Sequence, residues 1–479
     1  MSDEVRAELG RLRAAAAALE PDAEARAAMM AAAFGHAQEF LADLVEGPAN
    51  RSWADAFAGP PDEFGEAGAD LEEALEWLGR SVDRPGITTA SGFFTGYVPG
   101  GGLFQSAVGD FLAAASNKYA GFASAAPGAV RMENATCAWL AGVIGFPPGA
   151  AGTLTSGGSL ANLTAIVAAR EARDEAGRGA VYMSSTAHHC IDKALRIAGR
   201  AKAPRRLIPV DERFRMRADS LAAALEGDAA AGVRPWLVIA SAGTVDTGSV
   251  DPLAAIAALC ERHGAWFHVD GAYGGLFRLC PEGRAMLGGL ERADTAALDP
   301  HKTLFLPYGT GAVVARDGQM LLDAFSASAD YIRPLGESEV GPSPGDLSPE
   351  LTRHFRALRL WLPLRLAGVA AFRAAQSEKI GLARYFHARL GERPGWELAP
   401  PPDLSIVAFR YRPRKGDIDD FNRRLLRRVQ EEGRVFLSGT RLDGVDWLRC
   451  AILSFRTHLE HVDETIEALE RAAAFLEGE

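Results

Sequence analysis

The chain is 479 residues long and 48% hydrophobic, enough apolar side chain for large packed cores, which excludes a disordered chain. Its formal net charge of -11 argues against nucleic acid or an anionic membrane surface as a partner. Its five cysteines, Cys137, Cys190, Cys260, Cys280 and Cys450, are scattered without CxxC or Cys/His spacing, so reduced thiols and no metal site are expected.

The opening segment, MSDEVRAELGRLRAAAAALE, is charged and lacks the apolar stretch of an export signal. No run reaches the roughly 18 apolar residues of a membrane span, and a cytoplasmic protein is expected. Residues 1–46 carry Ala, Leu, Glu and Arg at amphipathic-helix spacing and need another domain or a partner subunit to pack on. Residues 47–68 are rich in Gly, Pro and acid and read as loop. From about 86 to 320, short apolar runs alternate with helical patterns. VYMSS (181–185), WLVIAS (236–241), WFHVD (266–270) and GAVVA (311–315) read as buried strands. Leu160–Ala172, Ser220–Leu225 and Pro252–His263 read as helices between them, which predicts a mostly parallel sheet covered on both faces. Residues 326–349 form a long Ser/Gly/Pro-rich loop, of the kind that is usually functional or disordered, followed by a helical run over 351–381. The end of the chain reads as a small α/β domain, with SIVAFRY and WLRCAILS as strands and 417–432 and 462–476 as helices.

Four stretches carry chemistry. In TSGGSLANL (155–163), backbone N–H groups and the hydroxyls of Ser156 and Ser159 open a helix and can cradle a phosphate. An ordinary helix cap reads the same way, and the stretch is neither a Walker loop nor GxGxxG. SSTAHHCIDKA (184–194) puts His188 and His189 after a strand, where an imidazole can stack on a planar group or serve as a plain loop histidine. In HVDGAYGG (268–275), Asp270 ends a strand, and a carboxylate there can hold a pyridinium proton or simply cap a turn. In LDPHKTLFLPYGTG (298–311), Lys302 opens an apolar run. Desolvation there would lower its pKa and make it a Schiff-base nucleophile, although a surface lysine with a snorkelling stem is also compatible. The order of the four is that of a pyridoxal-phosphate site.

At these residues the chain resembles the group II pyridoxal-phosphate-dependent amino-acid decarboxylases of fold type I, most closely the aromatic-L-amino-acid and tyrosine decarboxylases. The resemblance runs from about Gly92 to Trp361 and more weakly beyond. It implies an aminotransferase-like α/β fold in three parts: an N-terminal helical segment over 1–85 packing on a partner subunit, a large cofactor domain over 86–380, and a small domain over 381–479.

By the same resemblance Lys302 is the Schiff-base lysine, Asp270 pairs with the pyridine nitrogen, Ala272 lies against the ring and His188 stacks on it. Gly157, Gly158 and Ser159 form the phosphate loop, with Thr244 and His301 close to the cofactor. Tyr97, Val98, Pro99 and Gly100 shape the substrate pocket, Phe122 is an aromatic lent to the neighbouring subunit, and Tyr331 is the loop tyrosine that protonates Cα after CO₂ departs. The implied activity is decarboxylation of an L-amino acid, aromatic by preference, in a homodimer with shared active sites. Rival readings are an aldehyde synthase or other fold-type-I carbon–carbon lyase, and a non-catalytic cofactor-binding protein. Aldehyde synthases of this family carry Phe at the loop position, so Tyr331 favours amine formation. The chain departs from the family pattern at Asp299, where many members have Asn, at Gly271 in HVDGAY, and at Val98, where several aromatic-specific members have an aromatic.

Overall fold

The computed structural model describes residues 2–53, 65–66, 68–173, 177–326 and 340–478. The chain forms two compact units, Met1–Thr88 and Thr89–Glu479.

The first unit is built from helices Ser2–Ala15, Ala23–Glu46 and Leu71–Leu78, with a small antiparallel pair of β1 (Asn50–Arg51) and β2 (Gly86–Ile87). Asp22 caps the second helix by accepting from the Ala25 N–H at 2.9 Å, and Asp70 caps the third by accepting from Glu72 at 2.8 Å. Val5, Leu9 and Leu12 recur at helical spacing yet stay exposed, so the first helix shows an apolar stripe to solvent.

The second unit holds a seven-stranded sheet of β3 (Ala151–Thr155), β4 (Ala180–Ser184), β5 (Arg205–Ile208), β6 (Pro235–Ser241), β7 (Trp266–Gly271), β8 (Thr295–Leu298) and β9 (Gly311–Ala315), in the order β3-β9-β8-β7-β6-β4-β5. Pairings among β5, β4, β6, β7 and β8 are parallel, while β9 runs antiparallel to β8 and to β3. The central parallel strands β4, β6 and β7 are covered on both faces, which is why they are largely apolar runs; every residue of Pro235–Ser241 is buried. Because β3 and β8 both oppose β9, the C-terminal ends of β3, β8, β7, β6 and β4 share one edge. Ligand sites of open α/β sheets form there.

The C-terminal part carries an antiparallel sheet of β10 (Trp396–Leu398), β11 (Ile406–Tyr411), β12 (Ser438–Leu442) and β13 (Val445–Ala451), with helices Ile418–Glu432 and Leu459–Gly478. The helix Ala357–Gly391 runs through residue 380 and leads into this part; Pro363 and the left-handed Gly368 interrupt it. Arg449 donates to the Val245 carbonyl at 2.6 Å and the Tyr273 hydroxyl pairs with Ser405 at 2.8 Å, so the small sheet is fastened to loops at the strand-end edge.

Within the seven-stranded sheet, the three strands that the sequence pattern misses have physical reasons. β3 (AGTLT) and β8 (TAAL) are made of small residues without a β-branched apolar run, and β5 (RRLI) is an edge strand with arginines.

Candidate active site

A cleft of about 340 Å³ opens at the shared edge, and each strand end delivers part of its lining. After β3, the chain turns through Ser156 and Gly157 into helix Gly158–Arg173; the Leu160 and Ala161 N–H groups donate to the Gly157 carbonyl at 3.1 Å, and those of Gly158 and Ser159 precede any acceptor the helix can offer. After β4 comes His188, after β6 Thr244, at the end of β7 Asp270 with Ala272 following, and after β8 the short helical turn Pro300–Thr303 with His301 and Lys302. Val98, Gly157, Gly158, Ser159, His188, Thr244, Asp270, Ala272, His301 and Lys302 all line this cleft.

Close approach fixes Gly158. A Cβ there would sit 2.8 Å from Asp299 Oδ2 and 2.9 Å from the Ala272 methyl. The helix start, the turn after β7 and the turn after β8 therefore meet without a side chain between them.

Lys302 Nζ lies 2.9 Å from Asp299 Oδ2. Burial pulls the Lys302 ammonium down, but the Asp299 carboxylate, helped by Asp270, outweighs it and the net direction is up. This corrects the expectation of a lysine lowered by desolvation: the acid before the Pro-His-Lys turn keeps the unmodified lysine charged. Asp299 is 2% exposed, and its Oδ1 has no hydrogen-bond partner among the described residues.

Burial lowers the His188 imidazole, with Asp270 opposing, so the ring is neutral at neutral pH. Its Nδ1 accepts from the Cys190 N–H at 3.3 Å, which leaves the proton on Nε2. Asp270 is steadied by the Ala272 N–H at 3.2 Å. Thr244 begins a buried hydroxyl chain, at 3.0 Å to Thr247 and then 2.7 Å to Ser249, which donates to the Arg213 carbonyl at 2.7 Å. That carbonyl can only accept, so each hydroxyl donates outward and Thr244 offers the cleft an acceptor.

Tyr97, Pro99, Gly100 and Phe122 do not line the cleft. Tyr97 is exposed, with a left-handed φ of 49°, and its ring faces Phe94 and Phe436. Gly100 presses its backbone against the His301 carbonyl, 2.1 Å from where a Cβ would lie. Phe122 packs by Tyr119, with ring centroids 6.1 Å apart. Tyr331 lies outside the described residues.

Sequence reasoning missed the layer beneath the cleft. The fully buried His268 bridges Asn162 Oδ1 at 2.7 Å and Thr295 Oγ1 at 2.9 Å, two residues before Asp270 and so on the same strand face. Asn162 sits one helical turn after Gly158, and this pairing locks the phosphate-loop helix to β7. A buried His at i−2 from a strand-end acid was the available signal.

The residues fit a pyridine cofactor that carries an aldehyde and a phosphate. They provide an amine, a carboxylate for the ring nitrogen, an imidazole and a helix N-terminus with serines, in a volume suited to a small ligand. The one discordant group is Asp299, an acid against the helix start.

Comparison with known proteins agrees. Residues 61–412 match the pyridoxal-dependent decarboxylase conserved domain. The chain is 37% identical over 404 residues to the aromatic-L-amino-acid decarboxylase of Bacillus atrophaeus, covering 83% of this chain and 84% of that one. It is 30% identical to the phenylacetaldehyde synthase of Arabidopsis thaliana, covering 87% and 89%. The fold superposes on the Catharanthus roseus tryptophan decarboxylase in complex with L-tryptophan with a TM-score of 0.87 at 25% identity, covering 95% and 99%. Strand-end chemistry, fold and family match converge: the chain belongs to the pyridoxal-dependent decarboxylase family, a group of enzymes that work on amino acids with pyridoxal phosphate.

Proposed function

We propose that this chain removes the carboxylate of an aromatic L-amino acid as CO₂ and releases the amine, with Lys302, Asp270 and His188 as its central residues. The observation that carries the reading is their convergence, with the N-terminus of helix Gly158–Arg173, on one cleft. When bound, the cofactor supplies an electron sink for the pair left at Cα as CO₂ departs.

Each side chain then has a task. Lys302 would hold the cofactor covalently. Gly157, Gly158 and Ser159 would bind its phosphate through first-turn N–H groups and a hydroxyl, in the favourable field of the helix terminus. Asp270 would keep the ring nitrogen protonated. His188, neutral and carrying its proton on Nε2, would stack on the ring and pass a proton. Ala272, Thr244 and His301 would flank the cofactor, and Tyr331 would deliver the proton to Cα.

The preference for an aromatic side chain rests on the relatives, among them tyrosine and tryptophan decarboxylases. Of the 97–100 segment, Val98 lines the cleft and would border the substrate, with Tyr97, Pro99 and Gly100 flanking it outside the lining. The similarity to an aldehyde synthase raises a second reading, which the tyrosine at position 331 disfavours.

A homodimer with shared sites is part of the proposal. Phe104, Val108, Phe111 and Leu112 of helix Phe104–Ser116 form an exposed apolar face, as do Val5, Leu9 and Leu12, and a second copy would cover them. Phe122 would then serve the neighbouring cleft. The cytoplasmic assignment rests on five free, buried cysteines, and no helix among the described residues is long and apolar enough to cross a membrane.

Borohydride reduction followed by peptide mass spectrometry tests the assignment. The pyridoxyl group is expected on Lys302, with none on the K302A variant; labelling at another lysine would overturn the proposal.

A further inference from the structure

Asp299 is a buried acid beside the place where the site needs to hold an anion. It follows β8, and its Oδ2 lies 2.8 Å from where a Cβ on Gly158 would be, against the first turn of helix Gly158–Arg173. Its short ionic partner is Lys302 Nζ at 2.9 Å. The Oδ1 atom has no hydrogen-bond partner among the described residues, in a side chain that is 2% exposed.

The surrounding groups offer little other compensation. On its own turn, His301 Nδ1 donates to the Thr310 carbonyl at 2.7 Å, and burial holds the ring below its ordinary value. His301 Nε2, 3.7 Å from Asp299 Oδ2, therefore faces the acid without a proton. From β7 comes Asp270, another acid, and from helix Cys190–Ile197 comes Cys190, whose thiol burial pushes up to about 12 and keeps neutral. From helix Ala357–Gly391, Arg359 is committed to Asp110 at 2.7 Å and to the Tyr308 carbonyl and Thr310 hydroxyl at 3.0 Å.

In the free protein, Lys302 balances the carboxylate. Lys302 is also the amine that must leave Asp299 for the cofactor's aldehyde, at the moment a phosphate arrives at the adjoining helix start. Two anions would then adjoin in a buried cleft, with an acceptor oxygen lacking any donor. An amide at this position would donate to the phosphate; a carboxylate can do so only with a proton.

We propose that Asp299 enters the cofactor-bound site as the neutral carboxylic acid, donating to the phosphate, so that seating the cofactor takes up one proton at this residue. The proposal rests on the reading of the cleft as the pyridoxal-phosphate site. A single proton from solvent is added to one carboxylate oxygen, and no bond in the protein is broken. Affinity should then fall as pH rises, because the free protein must pick up a proton that is increasingly scarce.

The test is calorimetric titration of full-length apoprotein with pyridoxal phosphate, in buffers of different ionisation enthalpy, for wild type, D299N and H301Q. Because Asp299 helps keep Lys302 charged, D299N alters the lysine too, so the pH-dependent reactivity of Lys302 with an amine-selective reagent is measured in each free protein and its proton is subtracted from both the uptake and the pH dependence of binding. Wild type is expected to take up one proton more than D299N near neutral pH, and H301Q to keep that uptake. The ratio of wild-type to D299N dissociation constants should rise by about tenfold per pH unit. A flat ratio with equal uptake, or uptake that persists in D299N and vanishes in H301Q, would overturn the proposal while leaving the cofactor reading intact. Failure of wild type to bind the cofactor at all would overturn that reading as well. Should D299N not fold, difference infrared spectra of wild type decide: a protonated-carboxyl C=O band should appear on cofactor binding, and its absence refutes the assignment.

Discussion

Gly158→Ala adds a methyl group at the point where the three site turns meet. The new Cβ would lie 2.8 Å from Asp299 Oδ2 and 2.9 Å from the Ala272 Cβ. Asp299 cannot swing aside without giving up Lys302 Nζ at 2.9 Å, and Ala272 is held by its N–H to Asp270 at 3.2 Å. The first turn of the helix must therefore shift by a few tenths of an ångström, and overpacking of this kind costs about 1–3 kcal/mol. That turn is the proposed phosphate seat, so the cost should appear as cofactor affinity weakened by about 5- to 150-fold. The assay is titration of apoprotein with pyridoxal phosphate, followed by its visible absorbance. Gly128→Ala is the control: it lies in helix Pro127–Ile144 with nothing within 4 Å of an added Cβ, and should leave binding unchanged. Affinity within about twofold of wild type for Gly158→Ala would refute the reasoning, since the close contacts would then be unrelated to the seat.

Asp270→Asn should still bind the cofactor but lower kcat by about a hundredfold or more, because the amide cannot hold the ring nitrogen charged; steady-state kinetics with saturating cofactor checks this. Tyr331→Phe should divert product from amine to aldehyde, ammonia and peroxide in air, and an unchanged amine yield would count against the loop tyrosine as proton donor. Arg353 and Glu133 form a fully buried pair at 2.7 Å, and Arg353 also holds the Leu154 carbonyl at 2.6 Å just before the phosphate loop. Arg353→Ala strands Glu133 and should destabilise the fold by about 3–5 kcal/mol in urea unfolding. Burial lowers His268 from 6.5 to about 4. Between those values the unfolded chain binds the extra proton, so stability is complete above the upper value and declines by about 3 kcal/mol as pH falls to the lower one. In His268→Gln that slope should disappear from the pH dependence of the unfolding midpoint.

What could be read beforehand divides along physical lines. Strands buried on both faces announce themselves as apolar runs, and WLVIAS and WFHVD were visible for that reason. Lys302 and Asp270 stood out because each is charged beside such a run, and their order along the chain carried the family resemblance. β3 and β8 were hidden, since Ala, Gly and Thr signal no period. The Asn162–His268–Thr295 support was hidden because its members are far apart in sequence and become neighbours only when the sheet forms. The direction of the Lys302 shift was misread for a similar reason: burial was legible, but the 2.9 Å reach of Asp299 depends on the helical turn that brings residue i to i+3.

The most direct test of the account is a product assay. Purified protein with pyridoxal phosphate meets each L-amino acid separately, and CO₂, amine, aldehyde and peroxide are quantified. The account predicts CO₂ and amine in equal amounts from aromatic amino acids, without peroxide. Aldehyde with peroxide from wild type, or CO₂ from non-aromatic substrates alone, would contradict it.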